Sequence, residues 1–136
     1  MQNKRKIAVM IVTNHPIMRD GLRLRVQQEP DMYVVCQTDD VERTLREFRL
    51  CKPDIALIDL QLPRGAGLLA MNGIRGIAPR TPLVVLTNYP GDVDTSPRAG
   101  EGPTIVVSRT LVSEQLITAI RTATSIADHA SADNTH

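Results

Sequence analysis

Residues 53–63, "PDIALIDLQLP", decide the predicted fold of this chain. Four apolar residues, 55–58, lie between a proline and the carboxylate of Asp59, and a second proline follows at Pro63. A short apolar run bounded by prolines predicts a strand that is buried on both faces. Asp59 then lies where this strand leaves the core, and its carboxylate becomes a candidate functional group.

Apolar segments of similar length recur along the chain, and the gaps after the first, second, third and fifth of them predict helices. Strands that alternate with helices pair in parallel through right-handed crossovers. We therefore predict an α/β fold, a flavodoxin-like doubly wound sheet of five parallel strands in the order 2-1-3-4-5. The apolar segments are residues 7–12, 33–36, 55–58, 83–86 and 105–107.

Residues 88–103, "NYPGDVDTSPRAGEGP", interrupt this alternation. Three prolines and three glycines oppose a helix in this gap. We predict a loop with at most one short helical turn, so that the fourth helix is short or missing. The predicted domain covers residues 1–126, and residues 127–136, which have no apolar period, are predicted to be a disordered tail.

The composition is typical of a single small domain. Apolar residues make up 42% of the 136 residues and aromatic residues only 2%, so one core of aliphatic side chains is expected. The formal net charge of +1 argues neither for nor against nucleic acid, and no apolar run approaches the roughly 20 residues that span a bilayer. Cys36 and Cys51 lack metal-ligand spacing and are predicted to be buried, reduced thiols. We expect a cytoplasmic protein.

Polar residues follow the predicted strands at one edge of the sheet, where doubly wound folds bind their ligands. A carboxylate at this edge can attack phosphorus to form an acyl phosphate if Mg²⁺, a cation and hydroxyl or amide donors neutralise the phosphoryl group. Without further context, Asp59 is better explained as a strand-end residue that caps or turns the chain. The residues at this edge are Thr13, Asn14, Asp59, Thr87, Ser108 and Arg109.

Several motifs occur in the order of a known family. Over roughly residues 5–125 the sequence resembles the receiver domain of bacterial two-component response regulators, especially the LuxR/FixJ-type branch with a helix-turn-helix output domain. The resemblance implies that Asp59 is the phosphoacceptor and that Thr87 contacts the phosphoryl group. The motifs are "VTNHP" at 12–16, "RDGLR" at 19–23, "PDIALIDLQLP" at 53–63 and "LVVLT" at 83–87.

The chain departs from this family at the residues that carry its chemistry. Two acids that help to hold Mg²⁺ in the family are replaced by Thr13 and Asn14. The family's lysine after the fifth strand aligns with Arg109, or with Ser108 if one insertion is allowed. The resemblance therefore implies that Arg109 or Ser108 contacts the phosphoryl group. Thr13, Asn14 and the backbone carbonyl of Gln61 imply a degenerate pocket that binds Mg²⁺ weakly or not at all. No other cofactor is expected.

Two parts that move in the family on phosphorylation are also altered. The aromatic switch residue is replaced by Val106, and the fourth helix by the Pro/Gly-rich residues 88–103. We therefore predict an atypical receiver, or pseudo-receiver: a signalling protein-interaction module with impaired Mg²⁺-dependent phosphorylation, and not an enzyme. The alternative is a functional receiver that accepts a phosphoryl group on Asp59 from a histidine kinase. A flavin or nucleotide binder is less well supported, because no Gly-rich phosphate loop follows the first strand.

The expected partner is a histidine kinase or another signalling protein, with no membrane and no direct contact between this domain and nucleic acid. A homodimer is compatible with the sequence. The sequence leaves open whether an output domain follows in a longer chain, and it names neither the kinase nor the downstream target.

Overall fold

Five parallel strands form one sheet in the order β2-β1-β3-β4-β5, which confirms the predicted topology. The computed structural model describes residues 5–96 and 98–133. Strand order reverses between β1 and β3, and the carboxyl ends of all five strands lie at one edge of the sheet. The strands are β1 (Ile7–Val12), β2 (Met32–Thr38), β3 (Ile55–Asp59), β4 (Leu83–Thr87) and β5 (Thr104–Ser108).

Helices cover both faces of the sheet. On one face Val26 and Ile120 belong to a buried apolar layer, and on the other face Phe48 and Ile74 do so. Strands β3 and β4 are buried along their whole length, which is why their sequences are continuous apolar runs without polar alternation. The helices are α1 (Pro16–Gln27) and α4 (Val112–Asp133) on the first face, and α2 (Val41–Cys51) and α3 (Ala66–Ile77) on the second.

The connection between β4 and β5 contains, within its described residues, a single 3-10 turn at Pro90–Asp92 and no α-helix. This confirms the prediction that the helix between the fourth and fifth strands, called the fourth helix above, is short or missing; α4 is the helix that follows β5. Arg75 of α3 fixes the far end of the connection, since its guanidinium donates to the carbonyl oxygens of Gly102 at 3.0 Å and Pro103 at 3.1 Å. The connection is therefore anchored to α3 immediately before β5 begins.

Helix α4 is longer than the sequence led us to expect. Residues 127–136 were predicted to be a disordered tail, but α4 continues to Asp133, and residues 134–136 lie outside the described residues. Residues 127–136 have no apolar periodicity, but they contain no proline or glycine that would stop a helix. No helix in the described part of the chain has the length and apolar character required to cross a membrane.

Cys36 on β2 and Cys51 at the end of α2 are free thiols and are half-buried, less than the sequence suggested. Burial, with a smaller contribution from the neighbouring Cys51, raises the pKa of Cys36 to about 12. Cys36 is therefore protonated at neutral pH and is a poor nucleophile.

Gly67, at the start of α3, packs on the backbone that follows β3. A Cβ atom at this position would meet the carbonyl oxygen of Asp59 and lie 2.9 Å from the Cα atom of Leu60, and neither backbone atom can move aside without displacing the site. We expect Gly67→Ala to lower the free energy of unfolding by about 2–3 kcal/mol, measured by urea denaturation.

Gly21→Ala is the matched control, because a Cβ atom on Gly21 of α1 would meet nothing within 4 Å. Alanine in this helix should raise the free energy of unfolding by about 0.5–1 kcal/mol. Equal effects of the two substitutions would contradict the close approach of α3 to the end of β3.

Candidate functional site

Asp59 is the last residue of β3 and is only 1% exposed. Both of its carboxylate oxygens are bound by groups of the same chain. The hydroxyl of Thr13 donates to Oδ2 at 2.7 Å, and the backbone N–H of Gln61 donates to Oδ1 at 2.9 Å. The guanidinium of Arg109 lies 3.6 Å from Oδ1 and forms an ion pair with it. The buried charge is thus balanced by one cation and two hydrogen bonds.

Thr13 and Asn14 follow β1 and differ in where they lie. Thr13 is fully buried, and its hydroxyl oxygen also accepts a hydrogen bond from the backbone N–H of His15 at 3.2 Å. The Thr13 hydroxyl oxygen therefore accepts from His15 while the hydroxyl hydrogen points to Asp59. Asn14 is exposed. Of the three residues predicted to line the pocket, Thr13 and Gln61 are hydrogen-bonded to Asp59.

Arg109, and not Ser108, is the residue after β5 that reaches Asp59. Ser108 begins a 3-10 turn, Arg109–Leu111, and its hydroxyl lies 2.9 Å from that of Thr110 and accepts from the Thr110 N–H at 3.4 Å. The Ser108 side chain is therefore occupied in capping this turn. The Arg109 side chain is largely buried, at 18% exposure, beside Asp59.

Thr87, the last residue of β4, is connected to Asp59 through Gln61. The Thr87 hydroxyl donates to the side-chain oxygen of Gln61 at 3.1 Å, and the backbone N–H of Asn88 donates to the same oxygen at 3.1 Å. From the sequence, only the backbone carbonyl of Gln61 is predicted as a metal ligand, and the role of its side chain is missed. The available signal was a polar residue two positions after the strand-end aspartate, close to a hydroxyl at the end of the adjacent strand.

The residues around Asp59 do not fit the magnesium ion that acts in the family. Mg²⁺ is usually held by one or two carboxylates with waters completing an octahedron. The single carboxylate present is within that range, but it is already hydrogen-bonded by Thr13 and paired with Arg109, and the neutral Thr13 and Asn14 stand where the family has two further acids. Within the described residues, no group of three or more His, Cys, Asp or Glu side chains could hold a metal, and no buried polar side-chain atom lacks a hydrogen bond.

A cavity with a volume of about 620 Å³ opens beside Gln61 and Thr87. Its walls are α3 and the connection between β4 and β5. This is the connection in which a fold of strictly alternating strands and helices would have a further helix. The side chain of Tyr89 at its rim is 63% exposed.

The topology and the aspartate buried at the end of β3 define a receiver-type signalling domain. Residues 9–121 match the family described as the response regulator receiver domain, and the chain belongs to this family. It is a receiver domain of a two-component response regulator.

The chain is 31% identical over 121 residues to YxjL of Bacillus subtilis (strain 168), described as an uncharacterized transcriptional regulatory protein; the match covers 89% of this chain and 56% of YxjL. This chain spans about half the length of the curated relatives it matches.

The solved structures to which the chain is similar include the following two. One is a LuxR-family two-component response regulator from Aurantimonas sp. SI85-9A1, with a TM-score of 0.72, 25% identity, and coverage of 88% of this chain and 86% of that chain. The other is the response regulator PhyR from Brucella abortus, with a TM-score of 0.81, 23% identity, and coverage of 97% of this chain and 54% of that chain. The second similarity supports the fold alone.

Thr13→Val tests whether the Thr13 hydroxyl stabilises the buried carboxylate. Valine keeps the shape of threonine but leaves Oδ2 of Asp59 without its donor. We expect the free energy of unfolding to fall by about 1–3 kcal/mol, the cost of an unsatisfied buried acceptor, measured by urea denaturation.

The neighbouring Asn14→Ala is the control, and because Asn14 is exposed it should change the free energy of unfolding by less than about 0.5 kcal/mol. If Thr13→Val were as stable as the wild type, Thr13 would not be a partner of Asp59.

Proposed function

We propose that this receiver domain works in the cytoplasm as a pseudo-receiver, a signalling protein-interaction module that is not an enzyme and does not depend on phosphorylation of Asp59. The observation that carries the proposal is that both oxygens of the Asp59 carboxylate are bound by groups of the chain itself. An oxygen of Asp59 that attacks phosphorus would have to use a lone pair that these contacts leave open, and the Thr13 hydrogen bond and the Arg109 charge make that oxygen a weaker nucleophile.

The charges around Asp59 also support this proposal. A unit charge at 4 Å contributes about 4 kcal/mol at an effective dielectric constant of 20. Replacing two acids by Thr13 and Asn14 therefore removes enough attraction to weaken Mg²⁺ binding by several powers of ten, since about 1.4 kcal/mol is a factor of ten in affinity. Arg109 supplies the positive charge that the family's lysine supplies at this place, so the loss of the two acids is not offset by the loss of a cation.

The proposed partners are those of a signalling module: a histidine kinase or another signalling protein, an output domain in a longer protein, or a second copy of this domain. We propose the surface of α4 and residues 88–103 as the contact faces, because the second of these is where the chain departs most from an alternating α/β fold. This assignment rests on analogy with the family.

A second candidate function is that of a working receiver. Asp59 keeps its place at the end of β3, and the Arg109 guanidinium at 3.6 Å is positioned to offset the charge of an incoming phosphoryl group. In this case an Asp59 oxygen would form the new bond to phosphorus while the P–N bond of a kinase phosphohistidine breaks. The two candidates differ in whether the contacts of Thr13 and Arg109 with Asp59 prevent its phosphorylation.

Phosphorylation by acetyl phosphate with Mg²⁺, followed by intact-protein mass spectrometry, distinguishes the two candidates. The proposal predicts that the wild type gains no stable adduct of about 80 Da and is indistinguishable from Asp59→Asn. The double variant Thr13→Asp/Asn14→Asp, which restores the two acids common in the family, is the matched comparison. It should gain more adduct than the wild type, because magnesium can then offset the phosphoryl charge.

An adduct on the wild type that is lost in Asp59→Asn would overturn the pseudo-receiver proposal and favour the second candidate. Repeating the reaction without Mg²⁺ separates a metal-dependent adduct on Asp59 from nonspecific acetyl phosphate chemistry.

A further inference from the structure

Gln61 connects the ends of two strands through two different groups. Its backbone N–H donates to the carboxylate of Asp59 at 2.9 Å, while its side-chain oxygen accepts from the Thr87 hydroxyl and the Asn88 N–H, each at 3.1 Å. One residue therefore contacts both the candidate phosphoacceptor and the hydroxyl implied to contact a phosphoryl group.

The direction of the Thr87 hydroxyl is set by a further contact. The backbone N–H of Tyr89 donates to the Thr87 hydroxyl oxygen at 3.0 Å, so this oxygen is already an acceptor and its proton is directed to Gln61. Two donors, one hydroxyl and one N–H, then converge on a single oxygen atom. Convergent donors of this kind also bind an oxyanion, because each one stabilises negative charge on the shared acceptor.

We propose that the Gln61 side chain is an intramolecular ligand that fills this oxyanion position and holds the start of the connection between β4 and β5 in place without a phosphoryl group. A neutral amide oxygen has two lone pairs and can satisfy both donors at once. The inference deepens the proposed function and rests on it: the chain itself supplies the contact that signalling by phosphorylation would otherwise have to create.

The contact between Gln61 and the Asn88 N–H also affects the position of the exposed residue Tyr89. Asn88 is followed by Tyr89 and by the 3-10 turn Pro90–Asp92, which lie at the cavity between the connection and α3. A side chain that holds the Asn88 N–H therefore also sets where the exposed Tyr89 ring is presented. An external anion would reach these two donors only after Gln61 moved away from them.

Gln61→Met and Gln61→Glu separate the acceptor from the shape of the side chain. Methionine has a similar length but no strong acceptor, whereas glutamate keeps an oxygen at the same place; both keep the backbone N–H that binds Asp59. Hydrogen exchange of the Asn88 and Tyr89 amides, followed by NMR in the whole chain, is the measurement. We expect exchange at Asn88 to be about tenfold faster in Gln61→Met and close to that of the wild type in Gln61→Glu.

Asn72→Ala is the matched control, because Asn72 lies on the wall of the same cavity and is exposed. Its substitution should leave exchange at Asn88 unchanged. Exchange of the buried amides of β1 reports global stability in each sample, so a local effect is distinguished from general destabilisation. Unchanged exchange at Asn88 in Gln61→Met, or equally fast exchange in Gln61→Met and Gln61→Glu, would overturn the inference.

The outcome is independent of the phosphorylation experiment. Amide exchange is measured without a phosphate donor, so an Asp59 adduct would overturn the proposed function while leaving the contact of Gln61 with Thr87 and Asn88 measurable. Conversely, a failure of the Gln61→Met prediction would remove the intramolecular ligand and leave the pseudo-receiver proposal in place.

Discussion

The carboxylate of Asp59 is charged, buried to 1% exposure, and bound by three groups that come from three different loops. A buried charge destabilises a fold unless it is paired and hydrogen-bonded. Thr13 after β1, Gln61 after β3 and Arg109 after β5 supply those contacts. The geometry of the strand ends at this edge therefore follows from the need to satisfy one side chain.

The replacements at this edge depend on one another. A carboxylate at position 13 would stand beside Asp59, and two like charges at hydrogen-bonding distance require a cation between them or the protonation of one. A threonine removes that repulsion and donates a hydrogen bond to Asp59, so the remaining charge needs only one counter-charge. Arg109 provides it, and its guanidinium reaches Asp59 from the start of a 3-10 turn that Ser108 caps. The charges of Asp59 and Arg109 therefore cancel within the site, whereas a pocket with three acids would need a metal ion to balance its negative charge.

The sequence predicted the sheet well, because buried parallel strands are continuous apolar runs and right-handed crossovers leave only a few possible strand orders. It also placed Asp59, Thr13 and Arg109 at one edge. It could not decide between Ser108 and Arg109, because that depends on a side-chain cap within a 3-10 turn. It did not foresee the side-chain contacts of Gln61, which depend on a rotamer and on the exact distance between β3 and β4. The tail prediction was wrong for residues 127–133, because loss of apolar periodicity removes packing and does not itself stop a helix.

Titration of the wild type with Mg²⁺, followed by NMR at the amide of Gln61, tests the central claim most directly, since this amide donates to Asp59. If Thr13 and Arg109 satisfy the carboxylate, the Gln61 signal should show no saturable shift through the millimolar range of Mg²⁺, while a Ca²⁺ or Na⁺ series of matched ionic strength gives the same small drift. A saturable, Mg²⁺-specific shift that is lost in Asp59→Asn would contradict the account, because it would mean that the ion binds Asp59 despite the chain's own donors.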